Sequence, residues 1–338
     1  MKRVPRLGRL VRLALPHAFE LDPVRVVLQG PDAPAALERL IAESMSSSDA
    51  RLRLAGFYPL FGAVLLSGGH DLPSAFAARL RVALIHERAR CEAIAAIAGR
   101  AFAALDAAGI SPTLVGGCAF AAHYPDPAHR HCHDLDLLVD DPAQAIRALA
   151  EAGFEPGTDR NHPHCVRDRS GFPLVLHRPD GVPLQTTMAD TWLGRCRLGE
   201  AAALVGRRCS DIVDGGPRAR RALVDVAVLA RNLEASKLAT ACAAQGSSLA
   251  TWAVLDLLNE LGLDRPDLTD ILADRAEPAS PVQLLLRAVH TRRQRPLDLL
   301  AAASPIRDLP AILLAGARLA RRRPGAAFRR LAAWLRPA

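Results

Sequence analysis

The stretch His133-Asp134-Leu135-Asp136-Leu137-Leu138-Val139 decides how the chain is read. Side chains along a β-strand alternate between its two faces, so acids at every second position project to one side. Asp134 and Asp136 therefore converge. Leu135 and Leu137 point the other way, into a core, and Leu138 and Val139 complete an otherwise apolar strand. Two adjacent carboxylates repel each other, and a cation relieves that repulsion; an all-oxygen donor set suits Mg2+ or Mn2+.

Upstream of this strand, Ile110-Ser111-Pro112-Thr113-Leu114-Val115 reads as a short strand, Gly116-Gly117 as a turn, and Cys118 to His123 as the start of a helix. Glycines between a strand and a helix let backbone N–H groups approach a phosphate, and the start of the helix adds a positive dipole. Downstream, Asp140-Asp141-Pro142 caps a helix running through Ala152. His164 to Asp168 and Phe172 to His177 then bracket Arg169-Ser170-Gly171 as a hairpin, and Val182 to Met188 adds a further strand. Residues 109–190 thus read as a compact module of mixed strands and helices.

Helical periodicity dominates on either side. From Ala35 to about Gly109 apolar residues recur at three- and four-residue spacing, with a helix start at Pro73-Ser74 and one helix or two through Ala108. Helical spacing returns from about Arg218, over Leu223 to Asn232, Ser236 to Gln245, Thr251 to Leu261 and a final set beyond Pro281. The expected organisation is a helical region at 1–108, the α/β core at 109–190 and a helical region at 191–338 that ends in a basic tail.

The segment Leu114-Val115-Gly116-Gly117-Cys118-Ala119-Phe120-Ala121-Ala122-His123-Tyr124-Pro125-Asp126-Pro127, followed by Arg130 and by Asp134-Leu135-Asp136-Leu137-Leu138-Val139, resembles the motif of an uncharacterised bacterial nucleotidyltransferase family. That family lies within the DNA polymerase β-like superfamily. In it a Lys-Gly or Gly-Gly turn leads a helix, a Tyr-Pro and an Arg follow, and an Asp-Ile-Asp-type strand ends the motif. The resemblance implies an α+β fold, a polymerase β-like core of mixed sheet and helices flanked by helical regions.

It also implies a Mg2+- or Mn2+-dependent transfer of an NMP group from an NTP, with ATP the expected donor, to a hydroxyl or phosphate of an unidentified small molecule, peptide or protein. Asp134 and Asp136 would hold metal, Gly116 and Gly117 would contact triphosphate, and Arg130 would neutralise phosphate charge with its guanidinium fork. Two positions depart from the pattern. Gly116 stands where lysine is common, and Val175 stands where an acid precedes Leu176-His177. Asp168, Asp180 or a basic His177 are the available substitutes for that acid. The alternative is a degenerate fold that binds nucleotide or a partner protein without turnover.

Composition narrows the remaining classes. Aromatic residues make up 4% of 338, which favours close-packed helices over a β-sandwich, and a formal charge of +8 suits an anionic ligand. Seven cysteines without a CxxC pair argue against a disulfide framework and for a reducing, cytoplasmic setting. No run reaches the roughly 18 apolar residues of a membrane span. The basic end, Arg318 to Arg336, reads as a solvated or frayed terminus, or as an amphipathic helix on an anionic surface.

Other chemistries are weaker. Gly-x-Ser-x-Gly, His-Glu-x-x-His and Walker A motifs are absent. The groups His129, His131, Cys132 and His133 with His162, His164 and Cys165 are numerous enough for zinc, but their spacing matches no standard finger.

Overall fold

The computed structural model describes residues 21–46, 48, 54–68, 71–157, 163–179, 181, 184–213 and 219–275. The basic end, the helices expected beyond Pro281, His162 and Asp180 lie outside these residues. The described chain is α+β, a seven-stranded mixed sheet with helices before, over and after it.

The first helices are α1 (Asp22–Gln29), α2 (Pro34–Ser46), α3 (Tyr58–Leu66) and α4 (Ser74–Ala107). Of the two options left open for the stretch from Ser74, the single helix is the one observed. Its buried residues Phe76, Leu80, Glu87, Cys91, Ile94, Ala98, Ala101 and Leu105 follow a 3.6-residue rhythm along one stripe. The helix stops at Gly109, where φ is +70° and the amides of Gly109 and Ile110 return to the Asp106 and Leu105 carbonyls.

The strands are β1 (Thr113–Val115), β2 (Leu135–Leu138), β3 (Glu155–Pro156), β4 (Cys165–Arg167), β5 (Pro173–His177), β6 (Thr186–Thr191) and β7 (Gly194–Gly199). They are ordered β3-β4-β5-β2-β1-β7-β6. The β2–β5 and β1–β7 pairs are parallel and the other pairs antiparallel. Two helices are inserted between strands, α5 (Gly116–Ala121) after β1 and α6 (Pro142–Glu151) after β2. As expected from Asp141-Pro142, the Asp141 carboxylate caps α6, accepting from the amides of Ala143 at 2.9 Å and Gln144 at 3.3 Å.

Leu114, Leu135, Leu137, Leu174, Leu176 and Leu198 are all buried on one face of the sheet, against α4 and α6. Covering that face leaves the alternate residues on the other side, where Asp136 and His177 remain partly accessible. The sheet extends past residue 190. The last strand expected was Val182 to Met188, whereas the observed hairpin is β6 and β7, and β7 joins the centre of the sheet through β1. Strand β6 is an edge with little burial on either face, so its residues carry no apolar alternation to read.

The chain closes with α7 (Ala201–Val213), α8 (Ala219–Ala230), α9 (Ala235–Gln245), α10 (Ser248–Glu260) and α11 (Pro266–Arg275). They pack on one another, and α8 also packs on α1, so both ends of the described chain share one apolar cluster with the sheet. No helix among the described residues is long and apolar enough to cross a membrane.

Candidate active site

Asp136 lies in β2 opposite Val115 of β1 on one side and Val175 of β5 on the other. Asp134 directly precedes the strand and is mostly buried. The alternation of β2 puts the Asp136 carboxylate on the face away from Leu135 and Leu137, and Asp134 stands two residues before it. Each has an imidazole beside it: His133 Nε2 is 3.3 Å from Asp134 Oδ2, and His177 Nε2 is 2.8 Å from Asp136 Oδ1. His177 reaches Asp136 because it pairs with Leu138, one row further along the same face.

The glycine pair closes the site from the β1 side. The helix begins at Gly116 itself, two residues before the expected start at Cys118. Gly116 has φ of +61°, and a β-carbon there would overlap the Asp136 carboxylate. Only glycine meets both demands, a left-handed backbone and an acid packed against its α-carbon. At Gly117 a β-carbon would stand 2.6 Å from Nη1 of Arg130, so the next residue is held small from the opposite side.

Arg130 differs from the expectation of a phosphate contact. It is 5% exposed and its fork is spent on Asp225 of α8, with Nε to Oδ1 at 2.9 Å and Nη2 to Oδ2 at 3.0 Å, while Nη1 donates to the His131 carbonyl at 3.0 Å. Tyr124 also donates to Asp225, at 3.0 Å, and Arg208 of α7 approaches it at 3.5 Å. Burial pushes the Asp225 carboxyl up, but Arg130, Arg208 and Arg221 outweigh it and hold the group below the usual carboxylate range. Arg130 is likewise penalised by burial and kept firmly charged by Asp225. The physical role visible here is a buried brace between the glycine turn and α8. Nor does Arg130 pair with Asp126, whose carboxylate faces Arg88 and His129 at 3.6 Å each.

The possible replacements for the missing acid are equally definite. Val175 is 4% exposed and sits level with Asp136, leaving no acid at that position. Asp168 is occupied in shaping its own hairpin: Oδ1 accepts from the Ser170 hydroxyl at 2.5 Å and from the Ser170 and Phe172 amides at 2.9 and 3.1 Å, and Oδ2 meets Arg100 at 3.2 Å. Burial raises its pKa, and these partners more than offset that, leaving the group lowered. Of the two substitutes among the described residues, Asp168 and His177, it is His177 that stands beside Asp136.

Among the described residues the histidine and cysteine segments do not assemble into a metal site. His131 Nδ1 is 2.7 Å from Glu87, the Cys132 thiol donates to the Arg130 carbonyl at 3.4 Å, and Cys165 donates to the Val166 carbonyl at 3.6 Å. Among the described residues no group of three or more His, Cys, Asp or Glu side chains is arranged to hold a metal ion. None of the seven cysteines is in a disulfide and all are buried, and burial, aided by Glu87, pushes the Cys91 thiol up to about 12, far from thiolate chemistry at neutral pH.

An acid on β2 with a second two residues before it, a glycine turn pressed against the first and a histidine on the neighbouring parallel strand are groups with the chemistry to handle a cation and phosphate. The chain can be compared with known proteins on that basis. Residues 50–198 match the model of an uncharacterised nucleotidyltransferase family. This nucleotidyltransferase match spans α3 through nearly all of β7, so it contains the glycine turn, both aspartates and His177. It supports nucleotidyl transfer as the general class of activity, which implies a nucleotide substrate. Among solved structures, an antigenic nucleotidyltransferase-like protein from Paracoccidioides brasiliensis is similar at 15% identity and a TM-score of 0.37, covering 56% of this chain and 94% of that one. No curated protein matches the chain.

Sequence reading missed Asp225, which lies 95 residues from its partner Arg130 and carries no local signal. It also missed β7, whose Arg195-Cys196-Arg197-Leu198 does alternate exposed and buried residues and could have marked a strand.

Proposed function

We propose that the chain is a divalent-metal-dependent nucleotidyltransferase that moves an NMP group from an NTP, with ATP the expected donor, to a hydroxyl or phosphate of a small molecule, peptide or protein. The observation that carries this reading is the contact of Gly116 with Asp136. It draws the turn that would meet phosphate and the acid that would meet metal into one site.

Two carboxylates are a sufficient protein contribution for Mg2+, which commonly takes one or two acids and completes its shell with substrate phosphates and water. Asp134 and Asp136 would hold it, and Mn2+ would serve similarly. When bound, the metal offsets triphosphate charge and polarises the α-phosphoryl group. The backbone at Gly116 and Gly117 would line the triphosphate, where the absence of side chains allows close approach. In the transfer the acceptor oxygen bonds to the α-phosphorus, the bridge to the β-phosphorus breaks and pyrophosphate departs. His177 is assigned as the base that takes a hydroxyl acceptor's proton, with Asp136 orienting its ring. The buried free thiols are compatible with the reducing, cytoplasmic setting expected from cysteine usage.

Val175 favours a second reading, a nucleotide-binding or protein-interaction module without turnover, because a buried valine stands level with Asp136 where an acid would complete the set. The two readings separate on incubation with each α-phosphate-labelled NTP, Mg2+ or Mn2+, and lysate or candidate peptide, beside Asp136→Ala. Label transfer or pyrophosphate release that disappears in the variant supports the enzyme. Nucleotide binding without either supports the module.

A further inference from the structure

A triphosphate brings about four negative charges, and the expected cations are missing from the site: Gly116 stands in place of lysine and Arg130 is buried on Asp225. The register of the sheet indicates where a cation stands instead. His177 pairs with Leu138, Leu138 with Thr113, Thr113 with Arg197 and Arg197 with Met188, forming one row across five strands. Residues paired across adjacent strands project to the same face, so Arg197 shares the face of His177 and, two residues from Leu138, of Asp136. Burial agrees: Arg195 and Arg197 are exposed, while Cys196 and Leu198 between and after them are buried.

We propose that Arg197 is the cationic triphosphate contact of this site, reaching in from β7 on the side of β2 opposite His177. This rests on the nucleotide-binding reading above. Two strand spacings separate the backbones of β2 and β7, about 10 Å. A long side chain from one side and a chain of phosphates from the other together span that gap. Among the described residues Arg197 makes no ion pair or side-chain hydrogen bond, so its fork is uncommitted, unlike that of Arg130. Its cross-strand neighbours, Thr113 and Met188, are uncharged. Arg195 lies on the same face but further from Asp136, and Asp190 faces it across the hairpin, which makes Arg197 the better-placed of the two.

The test uses the full chain with Mg2+ and fluorescent N-methylanthraniloyl derivatives of the four NTPs, then competition by the unlabelled NTP, NDP and NMP of the base that binds. Arg197→Ala is expected to weaken NTP binding about 10-fold or more, the scale of one charge-assisted hydrogen bond. NMP binding should change little. Arg197→Lys should recover part of the loss, and Arg195→Ala should bind as the parent does. Equal NTP affinity in Arg197→Ala and the parent, with binding lost in Asp136→Asn, would overturn the assignment while leaving the nucleotide site intact. So would an equal loss for NTP and NMP. A parent chain that binds none of the four NTPs would remove the underlying reading and this assignment with it.

Discussion

His177 of β5 places its Nε2 2.8 Å from Oδ1 of Asp136 on the parallel strand β2. This contact joins the histidine of the Val175-Leu176-His177 step, where an acid was expected in place of valine, to the acid that the glycine turn presses against. If His177 takes the acceptor proton, its removal should act on rate more than on nucleotide affinity. His177→Ala is expected to lower kcat about 10²-fold or more, with NTP binding within a few-fold of the parent. Steady-state label transfer and equilibrium titration measure the two separately; an unchanged kcat would rule out the assigned role.

Gly116→Ala tests the turn. The substitution forces a β-carbon into a left-handed backbone, costing roughly 1–2 kcal/mol, and drives it into the Asp136 carboxylate. Urea denaturation should report a loss of at least that size, and Mg2+-dependent NTP binding should fall more steeply than stability. Parent-like binding in the folded variant would show that the contact has no functional weight.

The buried pair of Arg130 and Asp225 should behave as a brace. Asp225→Asn leaves a buried guanidinium without its counter-charge and is expected to cost about 3–5 kcal/mol. Replacing both partners, with Arg130→Met and Asp225→Leu, should cost less than either single change. Because the Asp225 pKa is depressed in the folded chain, its contribution is fully present above the ordinary aspartate value, about 3.9, and is lost as pH falls through the folded value. Denaturation midpoints of the parent should therefore drop at acid pH through a component that Asp225→Asn lacks.

Val175→Asp tests the departure from the family pattern. The new acid would stand level with Asp136 and on its face, so divalent-metal affinity and transfer rate are expected to rise together. Stability should fall in metal-free buffer, since a buried valine is exchanged for a carboxylate beside a like charge. Saturating Mn2+ should restore part of that loss. Thermal denaturation with and without Mn2+, run beside the transfer assay, reads all three effects.

The strand that carries Asp136, its apolar reverse face and the capped helix after it were legible in the sequence, because each depends on residues within a few positions of one another. Asp136 and Leu138 alternate with the buried Leu135 and Leu137, and Asp141 caps the helix that starts at the next residue. What escaped reading depends on distance. The partner of Arg130 comes from a helix 95 residues away, so a guanidinium that resembles a phosphate ligand in sequence is a buried tie in space. Strand β7 offers only a brief signal, Cys196 and Leu198 alternating with Arg195 and Arg197, yet it supplies the strand that flanks β1. The missing acid was legible at Val175; only the register showed that Val175 lies level with Asp136 and that His177 lies one row further along β5.

The most direct test of Asp134 and Asp136 as a metal-holding pair is Mn2+ binding followed by electron paramagnetic resonance, with and without NTP, in the parent and in Asp134→Asn/Asp136→Asn. The expected result is Mn2+ binding in the parent that tightens when NTP is added, and loss of both in the double variant while it remains folded. Mn2+ binding that is the same in both proteins, and indifferent to NTP, would contradict it.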